Sequence, residues 1–394
     1  MKTVIVGAGV AGPTLAYWLV RAGHEVVLVE RAPEPRAGGY VVDFWGAGYD
    51  VAERMGVVDD LERRGFRMSE GRSVTAAGRR IAALDPSALV AATGGRYISI
   101  ARSELANVLL DAVADRVELI RGDTVAALDD TGDRVRVEFE SGARTDADLV
   151  VGADGLHSRV RRLVFGPEDR FERSLGIVVA AFEVDDHTPY DEGMAVMHAG
   201  VGYQVVRVGL PGGRTLFLLT VRHEGALPDD AGAQQALLRE RLAGAGWEVP
   251  RILDAMPGAA TFYCDRVSQI RMPSWTRGRV ALVGDAAACV SLLAGQGSAL
   301  AMVEAYVLGS ELARSDGHPA AFARYEQRLA GFLRAKQDAA TGLGTVFAPA
   351  NRFGLLVRNA ALALTGLPRV GVLIAGRSLS DAVELPGFPA AREA

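Results

Sequence analysis

A chain of 394 residues, 49% apolar and 23% charged, is long enough for two intimately packed domains of ordinary globular composition. Its net charge of −5, with no block of lysine or arginine, argues against a nucleic acid or an anionic membrane surface as partner. Two cysteines, Cys264 and Cys289, cannot build a disulfide framework, which points to a reduced, cytoplasmic protein.

Taken in chain order, the first predicted element is an apolar strand at residues 3–6. It is too short for a signal peptide and has no cleavage site. Gly7-Ala8-Gly9-Val10-Ala11-Gly12 follows it and opens a helix over 13–21. In such a strand–loop–helix unit the first glycine permits the tight turn and the second lets backbone approach a pyrophosphate. The third allows close packing of helix on strand, and the helix N-terminus offers free N–H groups to phosphate. Pro13 suits a first helical turn, where its missing N–H costs little. A second strand at 26–30 ends on Glu30, eighteen residues beyond Gly12, where an acid can accept hydrogen bonds from a ribose. Arg31 beside it would suit a 2′-phosphate, but Glu30 favours an unphosphorylated ribose, as in FAD or NAD.

A further apolar strand at 148–151 leads into Gly152-Ala153-Asp154-Gly155-Leu156-His157-Ser158-Arg159-Val160-Arg161. Alternating segments at 176–184, 194–198, 202–208 and 214–221 then predict an antiparallel sheet inserted into an α/β domain. Strand alternation puts Tyr203, Val205 and Arg207 on one face of it, and His198, Tyr203 and Arg207 are candidates to line a substrate pocket. A strand near 280 ends on Gly284-Asp285-Ala286-Ala287, and Ala294-Gly295-Gln296-Gly297-Ser298 precedes a helix over 298–312. A second long helix covers 320–341. The apolar stretch 355–375 is broken by Arg358, Asn359, Pro368 and Arg369, the pattern of a helix pair covering a core, not of a membrane span.

The N-terminal GxGxxG, the central D-G-x-x-S-x-x-R and the later G-D, in this order and spacing over about residues 1–340, resemble the flavoprotein hydroxylases built on the para-hydroxybenzoate hydroxylase fold. The resemblance implies FAD, in an α/β fold: a discontinuous Rossmann-like FAD-binding domain with an inserted, mostly antiparallel substrate sheet and C-terminal helices. Its expected division is 1–70, 97–170 and 271–340 for FAD, 71–96 and 171–270 for substrate, and 341–394 as a C-terminal helical segment. Carried over position by position, Glu30 binds the adenosine ribose and Arg102, in Arg102-Ser103-Glu104-Leu105, reaches the phosphate–ribityl region. Asp285 bonds the ribityl chain, and backbone from Gly295 to Ser298 meets the isoalloxazine ring, where helix N–H groups stabilise negative charge. Asp154 and Arg161 brace the domain junction and help the nicotinamide donor react. The residues alone leave blander roles open: Asp154 as a turn or helix cap, Arg102 as a surface helix charge, Asp285 as a turn residue.

This chain departs from the family's third motif, G-D-A-A-H-x-x-x-P-x-x-G-x-G, at Ala288 and Leu292, which stand in place of the histidine and the proline. Cys289, in the same loop, reads as a small buried residue. The expected activity is that of a single-component monooxygenase, as a monomer or homodimer. NADPH or NADH reduces FAD, O2 adds to it, and the flavin hydroperoxide oxygenates a mostly hydrophobic aromatic or polyketide-like small molecule. A single GxGxxG leaves no separate domain for the nicotinamide. No metal cluster or Ser-His-Asp set is evident. Halogenases of similar build carry Trp-x-Trp-x-Ile-Pro, absent around Trp18, Trp45, Trp247 and Trp275. A flavin-dependent reductase or dehydrogenase and a non-catalytic FAD-binding protein are the alternatives.

Overall fold

The computed structural model describes residues 1–35, 39–185, 187–342, 344–365 and 383–389. Its organising element is a six-stranded sheet. In spatial order the strands are Thr276–Arg277, Val280–Leu282, Leu149–Gly152, Lys2–Val6, Glu25–Glu30 and Glu118–Arg121. All neighbours pair in parallel except the two-residue edge strand Thr276–Arg277. Its central strands are continuous apolar runs, Val4-Ile5-Val6 and Val26-Val27-Leu28-Val29, buried on both faces as parallel strands between helices must be.

The register brings three distant motifs to one edge. Val6 pairs with Gly152 and with Val29, and Gly152 pairs with Leu282. The chain therefore leaves the sheet at Gly7, Glu30, Ala153 and Gly284 along the same carboxyl end, the place where open α/β sheets bind ligands.

The second sheet has seven strands in the order Thr261–Ile270, Glu172–Asp185, Arg214–Arg222, Tyr203–Gly209, Met194–Gly200, Glu70–Val74 and Arg80–Leu84. It is antiparallel apart from the pairing of Met194–Gly200 with Glu70–Val74. A β-bulge between Ser174 and Val178 bends its longest strand. Helices Ala231–Arg241 and Val249–Ala255 seal its outer face through Leu238, Leu242, Val249 and Ile252. Its inner face, with Ala181, Val208, Leu216 and Tyr263, turns to Tyr40 of the first unit.

A three-stranded meander, Val125–Asp130, Val135–Phe139 and Arg144–Ala147, was not expected from the sequence. Its strands are short and turn-bound, and charge sits on their exposed positions. Helix Gly297–Arg314 packs against Ala11–Arg21, and His318–Thr341 lies over it. The C-terminal segment forms helices Gly344–Phe347 and Arg352–Thr365; the rest of the helix pair expected to residue 375 lies outside the described residues. No described helix is long and apolar enough to cross a membrane.

Candidate active site

The first wall of the site is the glycine loop. Gly7 takes φ +108°, and a Cβ there would lie 2.4 Å from the Ala153 carbonyl oxygen. A Cβ on Gly12 would come within 1.9 Å of the Gly7 oxygen, so loop and helix Ala11–Arg21 touch through bare backbone. Gly9 differs: a Cβ there meets no protein atom within 4 Å. Open space thus lies over Gly9, at a helix start that no side chain caps. Glu30 stands beside it, accepting the Ala8 N–H at 2.8 Å on Oε2 and the Ala32 N–H at 2.9 Å on Oε1. Its two oxygens hold the loop's shape and keep lone pairs for a further donor. Arg31 is exposed and points to no partner among the described residues.

The second wall gathers Arg102, Asp285, Tyr40 and Tyr263. Arg102 begins helix Arg102–Asp111, and its backbone N–H donates to the Tyr40 carbonyl at 3.0 Å. Its guanidinium faces Tyr40, Asp285 and Tyr263, whose negative forms push its pKa up. It makes no side-chain hydrogen bond among the described residues. Asp285 opens the short helix Asp285–Ala288, and its Oδ1 lies 3.8 Å from where a Cβ on Gly297 would stand. Beneath it, Gly284 donates its N–H at 2.8 Å to Glu304, a wholly buried acid that burial holds well above the usual carboxylate range. Glu304, on helix Gly297–Arg314, thereby pins the Gly284-Asp285 turn; one of two glutamates in an otherwise apolar helix, it gave no sign of this in the sequence.

Between these walls runs the loop from Cys289 to Gly297. Ser291 holds φ +138°, a strained value for a residue with a Cβ, and its hydroxyl accepts the Leu293 N–H at 3.2 Å. Ala294 closes a one-turn 3-10 helix, Gly295 takes the left-handed conformation, and Gln296 accepts a hydrogen bond from Lys336 Nζ at 3.0 Å. Gly297 and Ser298 begin the long helix, whose start no side chain caps. Ala288 is buried where the family pattern has histidine, and the Cys289 thiol, turned to Ser268 and Asp285, is pushed well up by burial.

The central motif acts on the protein, not on open space. Asp154 Oδ1 accepts from the Ser158 hydroxyl, and Oδ2 from the Arg159 and Val160 N–H groups at 2.7 and 3.1 Å. Asp154 Oδ2 thus satisfies the first N–H groups of helix Arg159–Val164, while Oδ1 holds the N-cap Ser158, the helix-start role that the residues alone left open beside a cofactor one. Arg161, wholly buried, donates to the carbonyls of Ala286 and Leu156 and pairs with Glu168, tying the central motif to the third. His157 lies between Glu168 at 2.8 Å and Asp265 of the second sheet at 3.0 Å, and these acids raise its pKa to about 10.

The alternation that puts Tyr203, Val205 and Arg207 together is real, but it places them on the outer, helix-covered face. Tyr203 and His198 bond each other at 3.3 Å beside Trp247. Arg207 is held by Pro189, Asp191 and Glu248. His198, Tyr203 and Arg207, read from the sequence as candidate substrate residues, are thus engaged with protein partners on the helix-covered face. Their neighbours Gln204, Val206 and Val208 take the inner face.

Residues 1–335 match the family model described as FAD binding domain. A flavin-dependent monooxygenase from an unknown prokaryotic organism is 33% identical over 338 residues, 85% of this chain and 87% of the relative. The chain belongs to the flavin-dependent monooxygenase family. Among solved structures, this monooxygenase is similar to tetracycline destructase Tet(51), with TM-score 0.82 and 30% identity over 98% of this chain and 99% of that one. It is also similar to Klebsiella pneumoniae HpxO complexed with FAD and uric acid, with TM-score 0.81 and 25% identity over 96% and 97%. The monooxygenase is thus an FAD-binding oxidoreductase.

Proposed function

We propose that this monooxygenase takes electrons from NADPH or NADH and oxygenates a mostly hydrophobic aromatic or polyketide-like small molecule. The observation that carries the reading is the Arg102 guanidinium, which feels Tyr40 and Asp285 but makes no side-chain hydrogen bond among the described residues, together with the open space over Gly9. Those residues fit FAD. Glu30 would accept from the ribose, Gly9 and the start of helix Ala11–Arg21 would admit the pyrophosphate, and Arg102 would meet the phosphate–ribityl region. Asp285 would bond the ribityl chain, and the backbone of Gly295 to Ser298 would stand at the isoalloxazine ring, its helix start favouring negative charge there.

FAD, when bound, supplies the redox chemistry with O2. The protein's part is to orient the substrate and exclude water. The inner sheet face supports the substrate class: Val179, Ala181, Val206, Leu218 and Tyr263 are apolar or aromatic, with Gln204 and Thr220 as isolated polar groups. Tetracycline and uric acid, named with two similar structures, are cyclic small molecules, which agrees with that class.

The test is a screen of ring compounds with labelled O2. A substrate should stimulate nicotinamide consumption and gain one labelled oxygen atom. Consumption that yields only hydrogen peroxide with every compound replaces this reading with a flavin-dependent reductase, the alternative favoured by Ala288 and Leu292. Label entering from water would also sink it.

A further inference from the structure

Three arginine side chains are buried among the described residues: Arg161, Arg207 and Arg358. The fold gives the first two counter-charges, Glu168 for Arg161 and Asp191 with Glu248 for Arg207. Arg358 has none. It sits on helix Arg352–Thr365, 7% exposed, and burial pushes the pKa of its guanidinium down. Its partners are all neutral. Nη2 donates to the side-chain oxygen of Gln204 and lies 3.9 Å from Met197 Sδ. Nε donates to the Val346 carbonyl at 2.8 Å, and Nη1 to Asn359 Oδ1 at 3.1 Å. Each of its nitrogens thus has a hydrogen-bond acceptor, but none of those acceptors carries a charge. A buried guanidinium that a folded protein keeps charged calls for an anion beside it.

The position of Arg358 says which anion. Gln204 and Met197 belong to the inner face of the seven-stranded sheet, since Val205 and His198, next to them in their strands, lie on the outer one. Val346, which holds Nε, belongs to the short helix Gly344–Phe347. From that helix Phe347, with Ala348 just after it, packs on Leu292 and Leu293, in the loop that leads to Gly295. Arg358 is thus held by the same surfaces that bound the space between the sheet and the glycine-rich loop.

We propose that Arg358 is a specificity-determining residue that pairs with an oxyanion carried by the substrate, a carboxylate or an ionised phenol or enol. The inference rests on the monooxygenase reading above and narrows its substrate class to anionic ring compounds. Gln204, bonded to Nη2, is the positioning residue that aims the guanidinium. Arginine suits this task because its planar fork meets an oxyanion with two parallel donors.

FAD-loaded protein is titrated with 2-naphthoate and anthracene-2-carboxylate and with the primary amide of each, binding being read by calorimetry. At least one acid should bind about tenfold or more tighter than its amide, the order set by a charge-assisted hydrogen bond. Arg358→Gln should bring acid and amide together, and Arg358→Lys, which keeps the charge, should retain part of the preference. Wild-type protein that prefers neither acid overturns the proposal without any variant needing to fold. So does a preference that survives intact in folded Arg358→Gln protein, or one lost equally in both variants. Failure of the monooxygenase reading shows separately: no labelled oxygen in any product, with the Arg358-dependent preference intact, retires that reading and leaves the anion site standing.

Discussion

Gly9 and Gly12 sit three residues apart, the first in the loop and the second in the helix, and their substitution should damage different properties. A branched side chain at Gly9 would enter space that no protein atom claims, so Gly9→Val should fold with near-normal thermal stability and purify without FAD. A methyl on Gly12 would strike the Gly7 oxygen at 1.9 Å, so Gly12→Ala should lower the melting temperature whether or not flavin is present. A colourless Gly12→Ala protein of normal stability, or a yellow Gly9→Val protein, would contradict this division. Arg102→Ala and Asp285→Ala should each weaken FAD by about 1–3 kcal/mol, the order expected when a hydrogen-bonded or charged partner is removed. The Arg102 loss should shrink as salt rises if phosphate is its partner. Fluorescence titration of the apoprotein measures both, and unchanged affinity would take either residue out of the site.

At the scale of elements, helix Arg159–Val164 depends on a residue that precedes it by five positions. Asp154 satisfies the N–H groups of Arg159 and Val160 and holds Ser158, which in turn accepts from Arg161. Asp154→Ala should therefore cost about 1 kcal/mol of stability, the usual cost of a lost N-cap, and leave FAD affinity unchanged. Chemical denaturation and flavin titration on one preparation separate this from a ligand role. The seven-stranded sheet teaches a related lesson. Period-two alternation in residues 203–208 was legible, because side chains of a strand must alternate. Which face turns to the ligand was not, because helices Ala231–Arg241 and Val249–Ala255, later in the chain, decide which side they cover.

On the scale of the whole molecule, His157 joins the two units. It reaches from the central motif to Asp265 on the second sheet while also bonding Glu168, and its pKa rises from the ordinary 6.5 to about 10. A raised folded value means that this stabilisation is fully present below pH 6.5 and is lost as pH climbs through about 10. The junction is half exposed, so water screens the pairs and the effect should be modest. His157→Gln should melt below wild type at pH 6 to 8, and the gap should close by pH 11. A gap that is constant across this range would show that His157 contributes shape and not charge.

Taken by itself, the sequence determined the α/β class, the attachment of FAD and the monooxygenase family. Each rests on local chemistry: a strand that ends in glycines, a helix start, an acid at fixed distance. Such signals survive because backbone geometry and hydrogen-bonding valence act over a few residues. Tertiary structure alone decided which charges are matched. Glu304 beneath Gly284, His157 between acids of two units, and Arg358 without an acid among the described residues all depend on residues distant in the chain meeting in space. Coulomb and desolvation energies depend on distance in space, and sequence separation carries almost none of that information.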